Sequence, residues 1–168
     1  MIPEVKHYLE RIEDLRRQVR DLIAELPAEA LNWRPIEGSD DHATNSLAAI
    51  TAHVAGSEHF WIAEVIGGYP ATRDRDAEFV AEVSGAAELL PRLDATAGET
   101  RAVLPALSAA DLDGTRQASD KVVPVRWVIL HVIDHTALHL GHMQITYQLW
   151  RGGPSANAPR WFQRLPET

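Results

Sequence analysis

The chain has 168 residues, of which 45% are hydrophobic and 24% are charged, and its formal net charge is −8. These values are typical of a globular protein that is long enough to bury one core. The acidic balance argues against binding to nucleic acid or to an anionic membrane surface. Cysteine is absent, so no disulfide can form and any thiol chemistry requires a thiol from another molecule.

The N-terminal stretch has no apolar signal-peptide core, and the sequence contains no run of about eighteen apolar residues. We therefore expect a cytoplasmic protein without a membrane-spanning helix. The simplest domain division is one folded unit over residues 1–153, followed by a C-terminal tail over residues 154–168.

Four stretches with helical spacing of apolar residues predict four long helices. Thr44, Asn45 and Ser46 are candidate N-caps of the second helix, and Pro124 is well placed as the first residue of the fourth. Pro91 should kink the third helix or delay its regular start. The predicted helices cover residues 4–26, 44–66, 85–107 and 124–152.

The segments between these helices carry no convincing strand pattern and are predicted to be connections of about fifteen to twenty residues. In the polar connection 69–83, Phe79 is the residue expected to dock on the core. Four long helices with such connections predict an all-α four-helix bundle in which some connections cross over.

Four of the eight histidines lie in the predicted fourth helix, at positions 131, 135, 139 and 142. At 100° per residue they fall within about 80° of one another, on one stripe of the helix. The surrounding residues are almost wholly apolar, so we expect this helix to be buried. A lone histidine on an apolar face is more often a hydrogen-bonded core residue. Imidazoles four residues apart can bind one metal ion together, and four on one stripe favour a metal site.

A tetrahedral site needs a further ligand from a facing helix. His53 lies in the middle of the predicted second helix and faces its apolar side. His59 points elsewhere on the same helix and is expected to be incidental, while His7 is near a terminus and His42 is in a loop. His53 is therefore the third candidate ligand, and the residue pattern leaves open which pair from the fourth helix joins it.

The segments TAHVAGSEHFW and HVIDHTALHLGHMQI resemble the DinB-like, or YfiT-type, superfamily of bacterial metal-binding four-helix bundles, over residues 4–153. The resemblance implies a divalent metal, zinc or nickel, with one histidine ligand on the second helix and two on the last. Matched to this sequence, these ligands are His53, His135 and His139. His131 and His142 should lie one turn before and one turn beyond the metal, with roles left open.

The LGHMQ ending resembles the subgroup that includes mycothiol-dependent isomerases and transferases. The resemblance therefore implies a metal-dependent thiol S-transferase that takes a low-molecular-weight thiol, such as mycothiol or bacillithiol, and an electrophilic substrate. The Trp33–Asn45 loop and Trp61 are expected to line the pocket. The catalytic side chains are unknown, although Asp134, Glu64 and Ser57 could handle protons.

Two other functions stay open. The run His131-Val-Ile-Asp134-His135 resembles an inverted zinc-protease motif with Asp in place of Glu, which suggests a hydrolase that uses metal-activated water. Alternatively, the metal is structural or sensory, and a fourth protein ligand such as His131 or His142 would favour that interpretation. A di-iron site is disfavoured, because it needs four carboxylates and Glu-x-x-His motifs from two helices.

We also expect the chain to associate with a second copy of itself. Members of the superfamily are often dimers, and Trp150, Trp161 and Phe162 cluster where the fourth helix ends. Aromatic residues are enriched at interfaces, so a homodimer is predicted, with a tail docked on the bundle as the alternative.

Overall fold

The computed structural model describes residues 1–36 and 44–152 of the chain. The α-helices are α1 (Pro3–Ile23), α2 (Ala28–Asn32), α3 (Leu47–Glu58), α4 (Arg75–Phe79), α5 (Leu90–Val103), α6 (Ala109–Leu112) and α7 (Val125–Trp150). A π-helical segment (His59–Ile66) continues α3, and 3-10 turns (Ala86–Glu88 and Leu104–Ala106) flank α5. Strands β1 (Thr115–Ala118) and β2 (Lys121–Pro124) precede α7.

The four long helices α1, α3, α5 and α7 form the bundle. Both α1 and α3 pack against α5 and against α7, so the order around the bundle is α1, α7, α3, α5. This architecture confirms the predicted all-α four-helix bundle with long connections. Within the described ranges, every helix falls short of the combined length and hydrophobicity needed to cross a membrane.

Two clusters of buried apolar side chains fill the interior. One contains Leu15, Leu47 and Met143, and the other contains Leu104 and Ile129. Burial of each large aliphatic side chain stabilises the fold by about 1.5–3 kcal/mol relative to its exposure. On α7 the two histidines at positions 135 and 139 come between the residues that belong to the two clusters. The candidate site thus lies along the middle of the bundle.

The helix boundaries follow local signals. The Ser46 hydroxyl accepts a hydrogen bond from the Ala49 N–H at 3.1 Å and is the N-cap of α3, as predicted. Pro91 lies in the first turn of α5, so the regular helix starts late, at Leu90, rather than at residue 85. The first helix ends at Ile23, and the short α2 occupies part of the predicted loop that follows it.

A β-hairpin precedes α7, so the expectation that the connections contain no strand was wrong. Thr115 pairs with Pro124 and Ala118 with Lys121, and the two-residue loop contains Ser119 at φ 54°. The hairpin packs on the π-helical segment and on α7. Its strands are short, half of their residues are polar, and they lack the Asn-Gly or Asp-Gly loop that signals a hairpin in sequence.

The expectation that the last helix is buried holds for only one side of it. Its residues at positions 125, 128, 132 and 140 are buried, but Leu138, Ile145 and Leu149 are 60%, 58% and 56% exposed. Neighbouring helices cover only the side of a bundle helix that faces them, whatever the composition of its other side. The segment 37–43, which includes His42, and the predicted tail 154–168, with Trp161 and Phe162, lie outside the described residues.

Candidate metal centre

Three histidines converge between two helices of the bundle. α3 contributes His53, and α7 contributes His135 and His139. Each offers a ring nitrogen, and the three nitrogens lie within 4.8 Å of one another. His53 Nε2 lies 3.0 Å from His135 Nε2. The packing of α3 on α7 thus brings together the three residues that the sequence pointed to.

The arrangement fits a bound divalent cation. Ligands of a four-coordinate zinc lie roughly 3.3 Å apart at bond lengths of about 2.0–2.1 Å, which is close to the separation of the His53 and His135 nitrogens. Among the described residues, His139 Nδ1 is a buried nitrogen without a hydrogen-bond partner. Leaving a buried polar atom unpaired costs about 1–3 kcal/mol. Three imidazoles that converge at these separations form a donor set that suits zinc or nickel.

The three imidazoles are neutral near pH 7. Burial lowers the pKa of His135 to about 3 and that of His139 to about 4, and the neighbouring histidines add to both shifts. Burial also lowers the pKa of His53, although the hydrogen bond with Glu78 acts in the opposite direction. Because a metal ion binds the unprotonated ring nitrogen, this neutrality keeps the lone pairs available.

A carboxylate from the connection after α3 holds the outer side of His53. Glu78, which is 5% exposed, places Oε2 2.8 Å from His53 Nδ1. Arg73 donates to both carboxylate oxygens, from Nε at 2.7 Å and from Nη2 at 2.8 Å. Phe79 packs its ring 4.7 Å from that of His53, so the predicted docking of this residue is confirmed.

Glu78 and Arg73 are the functional residues that the sequence did not reveal. They lie in a segment of charged residues that reads as a solvated connection, and nothing in its periodicity points to burial. Within the described residues, the three candidates for proton handling make no hydrogen bond to the converging histidines. Asp134 is exposed, and Ser57 is buried elsewhere on α3. Glu64 accepts a hydrogen bond from the connection that follows the π-helical segment.

Glu64 is displaced from the His53 face by the π-helical turns. A π-helix has more residues per turn than an α-helix, so bearings calculated at 100° per residue fail beyond His59. Glu64 instead accepts hydrogen bonds from the backbone N–H groups of Thr72, at 2.6 Å, and Arg73, at 3.0 Å. It therefore fastens the connection that carries Glu78 to the bundle.

His59 lies away from the metal ligands, as expected, but it is not incidental. Its Nδ1 lies 2.7 Å from Glu99 Oε2 and its Nε2 lies 3.1 Å from Glu64 Oε1. Because Glu99 belongs to α5, this contact links the π-helical segment to the neighbouring helix.

The remaining two histidines of α7 flank the ligands without joining them. The His131 ring lies 5.5 Å from that of His135, and the His142 ring lies 5.5 Å from that of His139. His131 stacks on Trp127 at 4.9 Å, and Trp61 meets its edge at 5.2 Å. Burial lowers the pKa of His131, with the charge of Asp134 acting in the opposite direction. A group of three aromatic rings, with Trp61 nearly perpendicular to the other two, thus lies beside the three converging histidines.

Comparisons with known proteins agree with this fold. A solved structure of a conserved protein from Enterococcus faecalis matches with a TM-score of 0.70 at 15% identity, over 90% of this chain and 99% of that one. A DinB-like protein from Bacillus cereus matches with a TM-score of 0.70 at 12% identity, over 92% of this chain and 97% of that one. Among curated proteins, none matches the chain.

At such low identity these structures establish the fold alone, but the sequence itself matches a family model. That model describes the DinB superfamily and covers residues 11–143, from the middle of α1 to the last turns of α7. The matched range includes all three converging histidines. The chain belongs to the DinB superfamily.

Proposed function

We propose that this protein binds a divalent metal, zinc or nickel, through His53, His135 and His139, and uses it to transfer a low-molecular-weight thiol to an electrophile. The observation that carries the proposal is the convergence of three neutral imidazole nitrogens within 4.8 Å. Within the described residues, the cluster holds three candidate ligands rather than four. Three protein ligands with an open position are typical of catalytic zinc sites, whereas structural sites have four.

When bound, the metal would lower the pKa of a coordinated thiol and make it a nucleophile at neutral pH. In the overall reaction the sulfur forms a bond to the electrophilic carbon, and the bond from that carbon to the leaving group breaks. The leaving group departs with the electron pair, and the thiol proton passes to water. A chain without cysteine fits a thiol supplied by a cofactor of the mycothiol or bacillithiol type.

The protein's own side chains divide this work by position. Phe79 and the Glu78–Arg73 pair cover the site on the side of the α3–α5 connection and keep water from His53. On the other side, Trp61 and Trp127 border His131 and offer an apolar surface against which an electrophile can be oriented. Orientation of two reactants contributes to rate by turning a bimolecular step into an effectively unimolecular one.

The test begins with metal analysis of the purified protein. Metal-loaded protein is then assayed for transfer of mycothiol, bacillithiol, glutathione and coenzyme A to chlorodinitrobenzene or monochlorobimane. The His139→Ala variant should lose both metal and activity. His7→Ala removes an exposed histidine of α1 that pairs with Glu10, and this variant should retain both.

Metal-dependent transfer that disappears in His139→Ala supports the proposal. Failure of all four thiols with fully loaded protein overturns the transferase assignment and favours a metal-binding bundle without this activity. Hydrolysis of nitrophenyl esters by the same preparation, lost in the same variant, would favour metal-activated water instead.

A further inference from the structure

We infer that Glu78 is a positioning residue of the metal centre, and that it determines which ring nitrogen of His53 faces the ligand cluster. The inference rests on the proposed metal site, because it concerns how one of its ligands is held. The metal ligands come from two bundle helices, but Glu78 comes from α4, in the connection between α3 and α5.

The positions of the acceptors fix the proton on His53. A carboxylate paired through both oxygens with a guanidinium carries no proton and can only accept hydrogen bonds. Glu78 Oε2 lies 2.8 Å from His53 Nδ1, much closer than Arg73 Nη2 at 3.5 Å, so Nδ1 donates to the carboxylate. A neutral imidazole has a single N–H, which leaves Nε2 with a free lone pair. That nitrogen is the one 3.0 Å from His135 Nε2, inside the cluster.

Glu78 orients this ligand without being one itself. It contacts His53 at Nδ1, whereas the cluster forms on the Nε2 side of the ring. Arg73 balances the carboxylate charge, so the orientation adds no net negative charge beside the metal.

α3 contains a gap for this carboxylate. A Cβ added at Gly56 would lie 2.0 Å from Glu78 Oε1 and 2.7 Å from its Cδ, distances that no real side chain shows. Gly56 follows His53 by three residues, so both lie on the same face of α3. One helix therefore supplies the ligand and the space for the group that orients it.

The experiment compares two disruptive variants with two matched controls. Glu78→Gln removes the charge, and Gly56→Ala displaces the carboxylate. Glu64→Gln changes a carboxylate that fastens the same connection without contacting His53, and Gly98→Ala places a methyl group on α5 where nothing lies within 4 Å. Zinc and nickel affinities are measured by competition with a chromophoric chelator. Circular dichroism of each metal-free variant checks that it folds.

We expect the metal affinity to fall by about 10–100-fold in Glu78→Gln and Gly56→Ala. This range is typical of changes to residues that hydrogen-bond and orient a metal ligand. Both controls should bind like the wild type. If Glu64→Gln loses as much affinity as Glu78→Gln, the connection matters only as a tether and the positioning role is overturned.

Nitrogen-15 NMR of the imidazole rings supplies a readout that a merely structural role would not move. In the metal-free wild type, His53 should carry its proton on Nδ1. In Glu78→Gln, Arg73 binds the amide oxygen and turns the amide NH₂ toward His53, which should shift the proton to Nε2. A wild-type His53 protonated on Nε2 overturns the inference, even if a variant fails to fold.

The two proposals fail in different ways. Wild-type protein that binds neither metal overturns the proposed function, and the NMR result then decides whether Glu78 orients His53 at all. Wild-type protein that binds metal with the same affinity as Glu78→Gln overturns the positioning role alone.

Discussion

Burial decides the chemistry of each histidine along α7. His135 and His139 are half-buried, and this environment lowers their pKa values to about 3 and about 4, so both imidazoles are neutral at neutral pH. His142, one turn beyond, is exposed. His131, one turn before, is stacked on an indole ring. Identical side chains on one stripe therefore differ in whether they are suited to bind a metal.

This difference predicts the outcome of an alanine series. His139→Ala should weaken zinc binding by more than the roughly 10–100-fold seen when outer residues are changed, because a ligand is lost. His131→Ala and His142→Ala should retain close to the wild-type metal content after dialysis. Plasma emission spectrometry measures the metal per chain. Equal losses in all three variants would show that the ligand pair on α7 is a different one.

At the scale of elements, a buried ion pair joins three helices of the bundle. Arg16 on α1 donates from Nε to Glu58 Oε2 on α3 at 3.2 Å, and from Nη2 to the other oxygen. Thr100 on α5 donates to the same carboxylate at 2.5 Å. All three side chains are buried. Such a pair adds little net stability over apolar residues, but removing one partner leaves an uncompensated charge.

Glu58→Ala should therefore lower the free energy of unfolding by about 3–5 kcal/mol, because the Arg16 charge stays buried without its partner. The matched control is Glu13→Ala, which breaks the surface pair between α1 and Arg101 of α5 and should cost about 0.2–1 kcal/mol. Urea unfolding followed by circular dichroism measures both. Similar losses in the two variants would mean that burial of the pair is unimportant.

A glycine within α5 offers the opposite change. Gly98 is exposed, and an added Cβ would meet nothing within 4 Å. Gly98→Ala should raise the free energy of unfolding by about 0.5–1 kcal/mol, since glycine loses more backbone entropy in a helix. Thermal and urea unfolding measure the change. A loss of stability would indicate that the interior of α5 requires glycine at this position.

On the scale of the whole molecule, one apolar surface of α7 has no covering element among the described residues. It extends over about 33 Å at 1.5 Å per residue. Exposed apolar residues grouped on one face are typical of an interaction site, and a second copy could use this face in a two-fold arrangement, with the exposed Asp134 lying among the apolar residues. The exposed residues are Trp127, Leu130, Leu138, Ile145 and Leu149.

The homodimer stays a prediction, and we expect its interface on this face of α7. Light scattering should give twice the 18.6 kDa mass of the chain, and Leu138→Glu combined with Ile145→Glu should reduce it to the monomer mass. Val122→Glu changes an exposed apolar residue of β2, outside this face, and should leave the dimer intact. A monomer at high concentration of the wild type would contradict the prediction.

Local sequence signals determined the helical bundle and most of the candidate metal ligands. Helical periodicity marked the four long helices, Ser46 capped one of them, and Pro124 preceded another, because backbone preferences and capping act over a few residues. Spacing along α7 placed four histidines on one stripe, and the resemblance to the DinB-like superfamily selected His135 and His139 among them. The core-facing position of His53 was enough to select it from the other helices.

Tertiary structure alone decided what surrounds these ligands. Glu78 reaches His53 across 25 positions of sequence, through a connection whose path depends on packing and on the gap at Gly56. The π-helical turns moved Glu64 off the predicted face, and the neighbours of α7 decided which of its apolar residues stay exposed. Contacts between distant segments leave no periodic trace in the chain, so they become visible only once the helices have packed.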